Sequence, residues 1–209
     1  MKKPKTKIFL EEFKNPDLQF SYVNAQKAYI RVGTDELENI LSELLFNRIK
    51  ESKRTLLQLT LNESLNIVPM LLPQQLNILA ICFMLRFTIS KSVNNHNSLK
   101  EYLLTSLLPH FVGDLKKNSL YQHLEYTRCG QVSSSELRFE HIISRTYKGL
   151  FLKGIPLAEI EELRNKYPTL FLPCLNNKEL WQINAINDEF LNDQNIADEN
   201  DNKEIQRFI

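Results

Sequence analysis

Apolar side chains recur every three or four residues along most of this chain, the spacing of helices that bury one face. Asn15-Pro16 supplies a cap and a first-turn proline, and Gly33 ends the helix that follows. Phe20, Val23, Lys27 and Ile30 fall on one stripe of that helix, with Tyr22, Ala25 and Tyr29 beside it. Thr34-Asp35 caps the next helix, where Leu37, Ile40, Leu41, Leu44, Leu45 and Ile49 keep the i, i+3, i+4, i+7 rule. The short link at Gly33 makes the two an antiparallel hairpin. Ser52 opens a third helix through Leu56, Leu57, Leu61, Ser64, Leu65 and Val68, which Pro69 and Pro73 end.

From Pro73 to Phe87 the chain is apolar almost all round, Ile78 to Leu85 without a break, so the other helices are expected to surround it. A polar break at Ser92-Val93-Asn94-Asn95-His96-Asn97 follows. Ser98 with Glu101 then reads as the capping box of a fifth helix that carries Tyr102, Leu103, Leu107 and Phe111. Ser119 to Tyr126 forms a brief helix capped by Gly130, and Ser133 with Glu136 opens another through Phe139, Ile142, Ile143 and Tyr147. Gly149 and Gly154 bracket Leu150-Phe151-Leu152. Pro156 begins a helix through Ile160, Leu163 and Tyr167 that Pro168 stops. Leu170-Phe171-Leu172 reads as a short extended piece, and Asn176 or Asn177 caps a last helix with Leu180, Trp181, Ile183 and Phe190. An Asn/Asp-rich tail with Asp193, Asp198, Glu199 and Asp201 has few apolar residues to offset chain entropy and is expected to stay loose.

With no fixed-period repeat and no alternating run, the fold class is all-α: an irregular bundle of about eight helices around a buried central helix, residues 73–88, in two lobes. The expected organisation is a basic extension at 1–14, an N-terminal lobe at 15–90, a C-terminal lobe at 98–192 and an acidic tail at 193–209.

Composition narrows the function classes. Hydrophobic residues at 43% and charged residues at 24% describe a globular chain, and a net charge of +1 supplies no global field for nucleic acid. Only 5 glycines leave little material for phosphate-cradling loops. Cys82, Cys129 and Cys174 are odd in number and widely spaced, so no disulfide framework can be drawn and a reducing cytoplasm is the expected compartment. Lys2, Lys3, Lys5 and Lys7 lead into Ile8-Phe9-Leu10 and then Glu11-Glu12, so no signal-peptide core develops. Between Ile67 and Phe87, Pro69, Pro73, Gln74, Gln75 and Asn77 leave about 10 clean apolar residues where a membrane span needs about 20.

The most enzyme-like stretch is His123-Leu124-Glu125-Tyr126-Thr127-Arg128-Cys129-Gly130, which holds an imidazole, a carboxylate and a thiol. His123, Glu125 and Cys129 are therefore the catalytic candidates. The plainer reading is a helix end in which Glu125 and Arg128 satisfy polar neighbours and Cys129 packs as a small apolar residue. His96, His110, His123 and His141 sit on separate segments without metal-ligand spacing, and no phosphate-loop or nucleophile-elbow motif occurs, so no metal or cofactor is expected. Arg48, Lys50, Lys53 and Arg54 form a second basic group, for which helix C-terminal complementarity is an available explanation. Asn62-Glu63 and Glu159, Glu161 and Glu162 read as solvated faces.

The runs Asn15-Pro16-Asp17-Leu18-Gln19-Phe20, Asn24-Ala25-Gln26-Lys27-Ala28-Tyr29, Thr55-Leu56-Leu57-Gln58, Leu61-Asn62-Glu63-Ser64-Leu65 and Gln122-His123-Leu124-Glu125-Tyr126-Thr127 with Cys129-Gly130 resemble an uncharacterised family of bacterial all-helical proteins. The likeness covers roughly residues 15 to 155. The resemblance implies that members usually carry a further N-terminal segment with a Gly/Asn-rich stretch, against which this chain reads as a shortened member or one with an internal start. The order of elements in 20–85, with Asp35-Glu36 opening the helix Leu37 to Leu45, is more distantly similar to the abortive-infection alpha group of phage-defence proteins. The resemblance implies a defence or stress role and brings no catalytic residues.

These readings lead to an expected non-enzymatic accessory protein that binds a protein partner or itself, with Tyr22, Tyr29, His123, Tyr126 and Arg128 as the contact residues, since aromatic and Arg side chains dominate interfaces. The alternatives are a hydrolase or nuclease in which Cys129, His123 and Glu125 meet a distant group such as His141, and an architectural homo-oligomer marked by a large exposed apolar patch.

Overall fold

The computed structural model describes residues 12–175, 177–192, 196 and 198–208. Lys2, Lys3, Lys5, Lys7 and Asp193 lie outside them. In chain order the elements are α1 (Pro16–Val32), α2 (Asp35–Lys50), α3 (Leu56–Ile67), a 3-10 turn (Val68–Met70), α4 (Pro73–Phe87), α5 (His96–Tyr102), a π turn (Leu103–Leu107), a 3-10 turn (Leu108–His110), α6 (Asn118–Tyr126), α7 (Phe139–Thr146), a 3-10 turn (Lys148–Leu150), α8 (Leu157–Lys166), β1 (Phe171–Pro173), β2 (Trp181–Ile183), α9 (Asp188–Asn192) and α10 (Glu199–Gln206). The fold is all-α with one small hairpin sheet among the described residues. The described residues divide into two compact units, those up to 76 with 116–132 and those of 77–115 with 133 onward.

In the first unit, local chemistry sets the helix ends. The Asn15 side chain accepts the Asp17 N–H at 3.0 Å, Thr34 accepts that of Leu37 at 3.4 Å, and Gly33 takes the left-handed conformation (φ 67°) that closes α1. α3 starts later than Ser52 because Thr55 accepts the Gln58 N–H at 3.1 Å while the Gln58 amide holds the Glu51 carbonyl. α1, α2 and α3 pack on one another through Ala25, Leu37, Leu41 and Leu65. On α1 the inward face is Leu18, Ser21 and Ala25, whereas Phe20 is 64% and Ile30 80% exposed. The stripe Phe20, Val23, Lys27 and Ile30 thus points outward: close helix packing selects the small residues Ser21 and Ala25 for the inside.

The expected buried centre at 73–88 is also corrected. Gln75 and Ile78 are buried, but Cys82 is exposed and Phe83 and Phe87 stand open to solvent, their rings 6.0 Å apart. All-round apolarity does not enclose α4: none of the closely packed pairs of elements among the described residues includes it.

In the second unit the polar break at 92–97 contributes a core residue and a backbone tie. Val93 is buried with Leu99, Ile143, Tyr147 and Leu150, and the Asn94 carbonyl accepts the Ile186 N–H at 2.8 Å. Asn95, not Ser98, is the N-cap; Ser98 is its reciprocal partner in the capping box. α7 begins at Phe139 and not near Ser133, with no side-chain cap. β1 and β2 pair antiparallel, Phe171 opposite Ile183, Leu172 opposite Gln182 and Pro173 opposite Trp181. Trp181 is therefore in a strand and not in a helix. It exchanges backbone hydrogen bonds with Ile155 at 2.6 and 2.8 Å, and such distant pairing overrides local spacing. The tail is ordered at 199–206, where Asp198 caps α10 and Ile205 packs among Ile155, Ile160, Leu163, Phe171, Ile183 and Leu191.

Candidate functional site

The C-terminal end of α6 gathers most of the sequence-predicted residues. The helix closes with Arg128 at φ 59°, its N–H donating to the Glu125 carbonyl at 3.0 Å while the Cys129 N–H reaches the Leu124 carbonyl at 2.9 Å. That is a Schellman closure with Arg128 where glycine is usual, two residues before the expected cap Gly130. A non-glycine residue in this region carries steric strain, and strained residues concentrate at functional sites. Thr127 is buried and donates to the His123 carbonyl at 2.9 Å. Tyr126 is 85% exposed, its ring stacked near that of His123 at 6.3 Å.

The three catalytic candidates turn to different partners. His123 Nδ1 lies 3.0 Å from Gln75 Nε2. The Gln75 amide is oriented by the Leu72 N–H on its oxygen at 2.9 Å and by its own donation to the Leu120 carbonyl at 2.9 Å, and His123 Nδ1 also lies 3.2 Å from its Oε1. The Glu125 carboxylate accepts the Val132 N–H at 2.7 Å. The half-buried Cys129 thiol lies beside Thr127, donating to its carbonyl at 3.7 Å. No hydrogen bond joins any two of the three among the described residues, so they form no nucleophile–base relay. His141 stands exposed on α7. No three His, Cys, Asp or Glu side chains gather as a metal site among the described residues.

Tyr22 and Tyr29 lie about two turns apart along α1. Tyr22 is exposed, packed edge-on against Phe13 at 5.6 Å, with its hydroxyl accepting from Gln26 at 3.1 Å. Tyr29 is half-buried against the Ala25, Leu37, Leu41 and Leu65 core, and the neighbouring Glu38 carboxylate raises its phenol pKa. Beside the outward stripe runs a groove of about 490 Å³ between the C-terminal half of α1 and the end of α3, with Lys27 and Arg31 on its rim and Ala28, Leu65, Pro69 and Met70 beneath. A second groove of about 280 Å³ shares Val32, Pro69 and Met70 and continues over Leu37, Ile40, Leu72 and Leu76.

Sequence reading missed two polar networks. Arg48, fully buried, donates to Asn62 Oδ1 at 2.7 Å and the Glu51 carbonyl at 3.0 Å and pairs with Asp17. Asn62 also donates to Asp17 at 3.0 Å and accepts from Ser21 at 3.1 Å, so it is a joint between α1, α2 and α3 and not a solvated face. The Asn62 amide first, and Arg48 after it, hold the Asp17 carboxyl below its ordinary pKa. In the second unit, His96 reaches the Leu150 carbonyl through Nε2 at 2.9 Å and Asn184 Oδ1 through Nδ1 at 3.1 Å, while buried Gln182 donates to the same carbonyl at 2.6 Å. An aliphatic stripe flags neither network, because their side-chain partners Arg48 and Asn62 are 14 positions apart, and Gln182 is 32 from Leu150.

What the fold defines is an all-α protein of two units in which no helix of the described residues is long and apolar enough to cross a membrane. A family model matches residues 1–209, and the chain belongs to that uncharacterised family. The match lends nothing to the abortive-infection likeness. No curated protein and no solved structure matches the chain.

Proposed function

We infer that the chain works by binding a protein partner, with the outward side of α1 as the principal contact. The observation that carries this reading is that α1 has two apolar stripes. One is spent on the core, and the other leaves Phe20 at 64% and Ile30 at 80% exposure with Val23 between them. Large apolar side chains aligned on one exposed helix face are the usual mark of an interaction surface. Tyr22 flanks this stripe, and Tyr126 with Arg128 forms a second contact point, supported by the exposure of the ring and the strained backbone that presents the guanidinium. Tyr29 and His123 serve in this reading as the packed supports of their exposed neighbours. The cytoplasmic setting rests on the cysteine usage, and the defence setting rests only on the sequence resemblance.

Phe20→Ser with Ile30→Ser is expected to leave the helical circular dichroism unchanged, because neither side chain is in the core, and to abolish a stoichiometric partner recovered from the native host at native expression. Full retention of that partner by the double variant removes the α1 assignment, and recovery of the wild-type chain alone removes the binding reading.

A further inference from the structure

The grooves on either side of Met70 identify the kind of partner. The first has an aliphatic floor of Ala28, Leu65, Pro69 and Met70 and a polar rim of Asn24, Lys27, Arg31 and Asn66. Lys27 and Arg31 are one turn apart on an exposed face, no acidic residue lines this groove, and neither cation has an ion pair among the described residues. The second groove is more strongly aliphatic and carries one acid, Glu36, with no base. Met70 is exposed and, with Val32 and Pro69, forms the ridge the two share. Two apolar hollows separated by one unbranched, adaptable side chain suit large residues spaced a turn apart on an incoming helix.

The charges fix the polarity of that helix, because carboxylates at the Lys27–Arg31 end are favoured and acids at the Glu36 end are repelled. We propose that this surface takes an amphipathic helix of a partner protein, with aliphatic residues at i, i+3, i+4 and i+7 and Asp or Glu on the edge that meets Lys27 and Arg31. This deepens, and rests on, the binding role inferred for α1.

The probe is a fluorescein-labelled amphipathic peptide of about 16 residues, roughly four turns, with a Leu stripe and Glu at one end of its polar edge. Its control carries Lys in place of Glu, and both are titrated into the full chain by anisotropy. The Glu peptide should bind at least roughly tenfold more tightly at low salt, with the preference shrinking as salt screens the rim. Lys27→Glu with Arg31→Glu should reverse the preference, and methyl NMR shifts should centre on Met70 and Ala28. Equal binding of the two peptides, an unchanged preference in the charge-reversed chain, or no saturable binding overturns the proposal. Concentration-dependent dimerisation that the reversal abolishes puts a second copy in the groove and also overturns it. If the native partner is lost from the Phe20/Ile30 variant yet kept by the charge-reversed chain, the binding role of α1 stands and the acidic helix falls.

Discussion

The first three helices and the segment from α7 to α10 bury their apolar side chains by different means. In the first unit, α1, α2 and α3 follow one another along the chain and meet through a modest cluster of Ala25, Leu37, Leu41 and Leu65. A polar joint is added where Arg48 draws together Asp17, Asn62 and the Glu51 carbonyl. In the second unit the larger core, with Ile160, Phe171, Ile183, Leu191 and Ile205, is closed by backbone bonds between distant segments: Ile155 to Trp181, Asn184 to Leu170, Ile186 to Asn94. A small helical core can therefore leave a whole apolar face of α1 free for other work, while the segment from α7 to α10 closes its core by pairings between positions far apart in the chain.

The sharpest way to break this contrast is at Gly149. A Cβ there would lie 1.9 Å from the Ile186 carbonyl oxygen, a backbone atom that no rotamer change can move. Gly149→Ala must displace the strand of backbone that ties Ile186 to Asn94 and is expected to cost about 3 kcal/mol, the upper end of overpacking. The single tryptophan, Trp181, lies in β2 and reports on this unit in a urea titration. Its transition should move to markedly lower denaturant; an unmoved midpoint would show that the close approach at residue 186 relaxes freely.

The counterpart in the first unit is Arg48→Ala, which removes three hydrogen-bonded contacts from a side chain with no solvent exposure. Breaking a fully buried pair costs about 3–5 kcal/mol, because the orphaned charge stays out of water. Asp17 is half exposed and can rehydrate, so the loss should be smaller, about 2 kcal/mol. The helical signal at 222 nm, followed through urea, is expected to show it. A loss as large as that at Gly149 would mean that the polar joint and not the aliphatic cluster dominates the unit.

The same contrast explains what was legible beforehand. Asn15, Gly33 and Thr34 act within a turn of themselves, so the α1–α2 hairpin could be read directly. The class was legible for the same reason, as was the exposure of Tyr126 and Arg128 at a helix end. The face of α1 was not, because Ser21 and Ala25 are buried by virtue of what lies opposite them, and Asn62 is 41 positions from Ser21. Leu180, Trp181 and Ile183 carry an ambiguous spacing that only pairing with Ile155 and Phe171 resolves. Gln75 looks like a polar interruption until Leu120 and His123 arrive beside it. The grooves beside Met70 had no sequence signal, since shape comes from the crossing of α1 with the end of α3.

The smallest expected effect separates the charge in the Arg48 joint from its shape. Because the Asn62 amide and Arg48 lower the folded-state pKa of Asp17, its carboxylate adds stability that is fully present above the ordinary aspartate value near 3.8 and is lost as pH falls through the lower folded-state value. With the side chain 52% exposed, solvent screening keeps this contribution under about 1 kcal/mol. Asp17→Asn should therefore be slightly less stable than the parent between about pH 5 and 7, and the two should converge below about pH 4. Unfolding midpoints measured across that range check the sign. A gap that persists undiminished at the lowest pH would show that Asp17 contributes hydrogen-bond geometry and no charge, leaving Arg48 held by Asn62 and the Glu51 carbonyl alone.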